Sequence, residues 1–328
     1  MTRVAVAGAS GFVGRRLVPA LLTAGHDVTA LTRRPIEYDG PARAVRADVH
    51  DPRSLTRALR GIDVAVYLVH ELAGGHDDLP DRERRSGETF GRAAARCGVH
   101  QIVYLGGLSA ADAHDDPQAL SPHLRGRRLT EAALGVAGVP VTVVRAGIIL
   151  GRGSLGWEMM RQLSARVPVT AAPLRSRSRT QPIGADDLVG YLVDVVDDVR
   201  LLDTVLEVGT DEVVSYRDLM GRVARAHGHP GVVIPSPVVP ALLMQAGLLA
   251  LTDVHAPTAM ALLASMRTDA TVNDDRARRL LPRRPASLDD AIRVAAAEGE
   301  PPAVRRRPAP GDPGSPAPGS AGATPASA

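Results

Sequence analysis

Arg3-Val4-Ala5-Val6-Ala7-Gly8-Ala9-Ser10-Gly11-Phe12-Val13-Gly14 stands at the start of the chain, and its reading decides the fold. A five-residue, mostly apolar run at 3–7 meets glycines at positions 8, 11 and 14. Residues 12–24 then space their apolar side chains as a helix does, and Gly25 supplies a natural stop. In a strand–turn–helix unit of this kind each glycine has a mechanical task. One permits the tight turn, one lets the backbone approach a ligand, and one lets helix and strand pack closely. The free N–H groups and positive dipole end of the helix then offer a seat to an anion.

Outward from this unit the alternation continues. Strands are expected at 28–31, 44–47, 63–69, 100–105 and 141–144. Helices are expected from Pro52, with Asp51 as N-cap, and over 82–97 and 122–138. Strands separated by helices imply an α/β chain with a Rossmann-type, doubly wound parallel sheet, its core in residues 1–150. Residues 151–297 read as the rest of the sheet plus a small substrate or lid subdomain in the same folding unit. That part holds helices at 157–166, 186–196 and 216–227, a strand at 206–208, and a proline-punctuated apolar stretch at 232–266. Residues 298–328, rich in Pro, Ala and Gly, read as a disordered tail.

Composition narrows the function. All 39 basic residues are arginine, so a Walker-A lysine, a Schiff base and a Tyr/Lys proton relay are excluded. The net charge of +3 and 2% aromatic content leave no concentrated basic stripe with stacking rings, which argues against a nucleic-acid ligand. Cys97 is the single cysteine, so neither an internal disulfide nor a cysteine zinc site can form, and a reducing cytoplasm is expected. The longest apolar stretch, 238–251, falls short of the roughly 20 residues a membrane span needs.

The ligand that fits the glycine turn is a nicotinamide dinucleotide. Gly8, Ser10, Gly11, Phe12, Val13 and Gly14 would hold its pyrophosphate. Where an NAD site places an acid at the end of the second strand, this chain has Arg33 and Arg34. A guanidinium there would meet a 2′-phosphate through a bond of about 1.5–3 kcal/mol, a preference of roughly 10- to 150-fold for NADP(H) over NAD(H). Asp48 and Val49 follow the third strand, beside the expected adenine, and Leu68, Val69 and His70 close the fourth, toward the nicotinamide.

These residues resemble the short-chain dehydrogenase/reductase superfamily over about residues 1–295, in its extended and atypical branches. The extended branch carries a serine after the fifth strand, then Tyr-x-x-x-Lys and a glutamate four residues on. The matching stretches here are Tyr104-Leu105-Gly106-Gly107-Leu108-Ser109 and His123-Leu124-Arg125-Gly126-Arg127, with Glu131. Arg179-Thr180-Gln181-Pro182-Ile183 before Asp186-Asp187 matches the segment that returns to the sheet. With tyrosine replaced by His123 and lysine by Arg127, the chain resembles the atypical members related to NmrA-type proteins and to the 39-kDa accessory subunit of respiratory complex I. The resemblance implies that Ser109 and His123 polarise a substrate oxygen while Arg127 bonds the nicotinamide ribose. Arginine cannot join a proton relay.

Three functions follow as expectations. The first is an NADP-dependent oxidoreductase of a small carbonyl, enone or hydroxyl compound with a degenerate site. The second is a non-catalytic NADP(H)-binding redox sensor or assembly factor, with a protein partner or a second copy of itself. The third, a nucleotide-sugar epimerase, fits poorly without tyrosine and lysine. Tyr67 reads as a packing residue. His70, Glu71, His76, Asp77 and Asp78 read as a polar loop over the cofactor rather than a metal site, and Gly107–Ala111 lacks the second glycine of a hydrolase elbow.

Overall fold

Alternation along β1 (Arg3–Ala7) sends Val4 and Val6 to one face of a sheet and Ala5 and Ala7 to the other. Both faces are covered, which is why the strand is apolar throughout rather than half polar. A computed structural model describes residues 1–70, 78–109, 120–166, 169–173, 178–236 and 268–298. Within it β2 (Asp27–Thr32), β3 (Arg43–Arg46), β4 (Val64–Tyr67), β5 (Gln101–Gly107), β6 (Val141–Ala146) and β11 (Val205–Val208) join β1. The seven strands run in the order β11-β6-β5-β4-β1-β2-β3, every pair parallel. The chain reverses its winding between β1 and β4, and in a sheet of this kind ligands bind at the carboxyl ends of the strands at that point.

Helices α1 (Phe12–Thr23) and α6 (Ala185–Asp194) cover the Val4/Val6 face with Leu17, Leu21, Leu188 and Leu192. On the opposite face lie α2 (Pro52–Ala58) and α3 (Leu79–Arg96), with α4 (Pro122–Leu134) packed along α3. The Asp51 carboxylate caps α2 by accepting from Arg53 N–H, as its place before Pro52 implied. Between α3 and α4 the backbones approach until a side chain at Gly91 would overlap the Leu134 carbonyl, and one at Gly87 would lie 3.0 Å from the Ala133 methyl.

Past β6 come short pairs: β7 (Ile149–Leu150) with β10 (Ile183–Gly184), and β9 (Arg179–Thr180) with β12 (Val214–Ser215). β8 (Val169–Pro173) pairs with β13 (Val232–Ser236). A second core unites α5 (Leu155–Arg166), α7 (Tyr216–Ala226) and α9 (Leu288–Ala297) around Trp157, Leu219, Val223 and Ile292. The short α8 (Arg276–Leu280) returns to the sheet through Ala277. Residues 1–298 form one compact unit, and Glu298 closes it by accepting from Arg16 and from the Arg152 N–H, each at 2.7 Å.

Element boundaries differ from the sequence reading by a few residues. β4 ends at Tyr67 rather than 69, and α4 ends at Leu134, short of 138, because the chain turns through Gly135 and a left-handed Gly138. Most of the apolar 232–266 stretch, the loop 71–77 and the expected tail from 299 onward lie outside the described residues.

Candidate functional site

Gly8 ends β1 with φ +86°, a left-handed conformation that a side chain would strain. A Cβ there would also lie 3.1 Å from the Leu68 carbonyl, so the glycine turn is pressed against the end of β4 at the winding reversal. Gly11 N–H donates to the Gly8 carbonyl at 2.9 Å and closes the turn. A side chain at Gly14 would overlap the Gly8 carbonyl, so that glycine sets the closeness of α1 to the strand. Gly11 caps α1 without a side-chain hydrogen bond, and no acid stands in the first turn. Ser10 and Gly11 are exposed, and Phe12 and Val13 half-buried. The cradle is therefore positive, backbone-lined and open, which fits a pyrophosphate.

Strand register carries the next group. Ala7 stands opposite Leu31, so Arg33 lies just past the end of β2, beside the glycine turn. Arg33 is exposed and has no ion-pair partner among the described residues, whereas the exposed Arg34 pairs with Glu37 at 3.2 Å. Asp48 is half-buried, and one carboxylate oxygen accepts from His50 N–H at 3.0 Å. Val49 packs against the α2/α3 core.

On the other side of the reversal, Leu68, Val69 and His70 continue from β4. Tyr67 itself is buried edge-on against Phe90, with ring centroids 4.9 Å apart, and is a packing residue. The His70 ring, 27% exposed, has Nδ1 2.8 Å from Glu83 Oε1 of α3. An ionised Glu83 can only accept, and paired with it Nδ1 carries the hydrogen. The His123 ring of α4 lies 4.8 Å from that of His70, tilted by 38°. His123 Nδ1 is buried with no hydrogen-bond partner among the described residues. Burial, His70 and the Arg127 cation push the His123 imidazole down to about 3, and burial and Arg127 hold His70 well below the ordinary histidine range. Both rings are neutral at physiological pH.

Arg127 is buried, with its guanidinium donating to the Leu105 carbonyl and lying 5.0 Å from the Tyr104 ring centroid. Ser109 is fully buried, and its Oγ accepts from Arg128 Nη2 at 2.7 Å. That bond leaves the serine's own hydrogen available to an acceptor. Arg128 begins a closed ring of polar groups. It faces Glu131 at 3.8 Å; Arg145 grips Glu131 through two bonds (2.6 and 3.2 Å) and reaches Glu207 at 3.4 Å. Glu207 accepts from Asn273, whose Nδ2 also donates to the Ser109 carbonyl at 3.0 Å.

The structure thus brings together two groups. Gly8, which opens the turn carrying Ser10, Gly11, Phe12, Val13 and Gly14, lies against Leu68, while His70 and His123 meet near Arg127. Ser109 is fixed by Arg128, one residue along α4 from Arg127. Among the described residues no group of three or more acidic, histidine or cysteine side chains could hold a metal ion.

Residues 8–172 match the NAD(P)H-binding family, about half of the chain. This chain belongs to the NAD(P)H-binding family. Its members' fold recurs in the Citrobacter triphenylmethane reductase complexed with NADP(H), at a TM-score of 0.67 and 17% identity over 89% of this chain and 99% of that one. Ceramide reductase of Caulobacter vibrioides is 29% identical over 194 residues, 58% of this NAD(P)H-binding chain and 59% of the relative. Uncharacterized proteins of Mycobacterium tuberculosis and Mycobacterium bovis are 30% identical over 239 residues, 72% of this chain. The chain spans about a quarter (24%) of the length of these mycobacterial relatives. The likeness to atypical short-chain dehydrogenase/reductases read from the sequence therefore holds for the family. No helix among the described residues is long and apolar enough to cross a membrane.

Sequence reasoning missed Glu83, Arg128, Arg145, Glu207 and Asn273. Glu83 stands in Asp81-Arg82-Glu83-Arg84-Arg85, a run that reads as a solvated helix face. One signal was available: Gly126 interrupts a helix between His123 and Arg127, and a side chain there would overlap Glu83 Oε2. A glycine inside a helix costs about 1 kcal/mol against alanine and asks for a reason.

Proposed function

We propose that this chain is an NADP(H)-preferring oxidoreductase of a small carbonyl or hydroxyl compound. The observation that carries the preference is Arg33, exposed, unpaired among the described residues and placed by register beside the glycine turn. The bound cofactor would supply hydride transfer, and the protein's share is binding, orientation and proton handling. Gly8 to Gly14 seat the pyrophosphate, Arg33 the 2′-phosphate, and Asp48 and Val49 border the adenine. Leu68, Val69 and His70 border the nicotinamide end, and Arg127 takes the ribose position. Ser109, its oxygen already accepting from Arg128, gives its hydrogen to the substrate oxygen. His123, from the same helix as Arg127 and Arg128, is the second neutral donor, since an imidazole held near 3 polarises an oxygen without being charged.

The test is a titration of NADPH and NADH into the purified chain and into Arg33→Ala. NADPH binding tighter than NADH, weakened about tenfold or more by the substitution while NADH is unaffected, supports the reading. Equal affinities in both chains would remove the preference for NADP(H).

A further inference from the structure

We propose that Glu83 and His70 form a carboxylate–imidazole dyad that moves the substrate's hydroxyl proton, with His70 Nε2 as the acid–base atom and Glu83 and Gly126 as its positioning residues. The proposal rests on the oxidoreductase reading above and supplies the proton path that loss of the tyrosine and lysine removes.

Three features converge on His70. It follows β4 at the winding reversal, two residues past Leu68, whose carbonyl borders the glycine turn. Its Nδ1–H is committed to the buried Glu83, so Nε2 is the nitrogen left to accept a proton. Its ring also keeps 27% exposure, a route by which that proton reaches water, whereas His123 Nδ1 is buried. A side chain at position 126 would occupy the space of the Glu83 Oε2 and displace that carboxylate from its present seat. The glycine inside His123-Leu124-Arg125-Gly126-Arg127 and the glutamate on α3 therefore form one arrangement.

The charged and titratable groups facing His70 are Glu83 from α3 and His123 and Arg127 from α4. Burial and Arg127 favour the neutral ring and Glu83 favours the charged one. In the direction of oxidation the substrate's carbinol carbon loses its hydrogen with two electrons as hydride to NADP⁺. The hydroxyl proton passes to His70 Nε2, the C=O bond forms, and the imidazolium releases the proton to water. Reduction is the reverse, with the imidazolium as donor.

A histidine in that place senses the charge of the nicotinamide ring, positive in NADP⁺ and neutral in NADPH. The test is the ratio of the dissociation constants of NADP⁺ and NADPH between about pH 4.5 and 8, for the full chain, His70→Gln and Glu83→Gln. The expected ratio is level at neutral pH and climbs by about threefold or more only toward the acid end of that range, as His70, held well below the ordinary histidine range, protonates and repels the oxidised ring. His70→Gln should abolish the climb, and Glu83→Gln should move it to lower pH, since the stabilising carboxylate is gone. A level ratio in the unmodified chain, or a climb that survives in His70→Gln, overturns the dyad and leaves the cofactor site intact. Binding of neither nucleotide overturns the oxidoreductase reading itself, and the dyad with it. Should His70→Gln fail to fold, imidazole ¹⁵N resonances of the unmodified chain decide: a His70 midpoint lower with NADP⁺ than with NADPH supports the proposal, and equal midpoints overturn it.

Discussion

His123 shows how much one residue's surroundings alter its chemistry. An exposed histidine titrates near 6.5, but this one is held neutral down to about 3. A base whose folded value is depressed contributes stability that is complete above its unfolded value and lost as pH falls toward the folded one. Between pH 7 and 5 the unfolded chain takes up the proton and the folded chain does not. The loss should approach about 2 kcal/mol at pH 5 from this residue alone. Urea unfolding at the two pH values, compared with His123→Phe, checks it: the variant should lose less stability on acidification than the parent. The sequence exposed His123 as an oddity, through its place in a Tyr-x-x-x-Lys frame, but not its neutrality. Neutrality comes from burial and from His70 and Arg127, which are neighbours only after folding.

At the scale of elements, the β1–turn–α1 unit was legible because its cause is local. Three glycines, an apolar run and a helical period lie within a few residues of one another, and each fixes its own piece of backbone. α1 also shows why the turn favours a ligand over helix stability, since its cap and first turn carry no acid. Ser10→Asp would place a carboxylate at that exposed helix end. It should leave the melting temperature unchanged or slightly higher, the dipole interaction adding about 0.3–1 kcal/mol of stability, while weakening NADPH binding at least about tenfold, as read by titration. A fall in both would mean that Ser10 is structural. The α3/α4 pair was not legible in the same way. A helix with Arg82, Glu83, Arg84 and Arg85 in succession has the pattern of a solvated face, and Glu83 is buried only once Gly126 of α4 and His70 beyond β4 come against it.

For the molecule as a whole, the ring through Ser109, Arg128, Glu131, Arg145, Glu207 and Asn273 joins β5, α4, β6, β11 and the segment before α8. Such contacts span more than 160 residues of chain, which no local pattern reveals. Arg145 is shared by two carboxylates and is itself buried. Arg145→Met should cost about 3 kcal/mol, because Glu207 and Glu131 lose their common cation, the loss being softened at Glu131, whose carboxyl burial pushes up to about 7 and which can take up a proton instead. Denaturant unfolding measures the loss, and adding Glu131→Gln and Glu207→Gln should recover part of it. No recovery would mean that the arginine acts through packing alone.

The glycine contacts between α3 and α4 have a consequence for the crevice. With backbone against backbone at Gly91 and Leu134, and Gly87 close to Ala133, the two helices are joined like the riveted end of a pair of callipers. Glu83 and His123 sit nearer the other ends of the same helices, Glu83 one helical turn from Gly87. The seat of Glu83 against His70 is therefore gauged by residues with no chemistry of their own, and a methyl group added at the rivet would be read at that hydrogen bond.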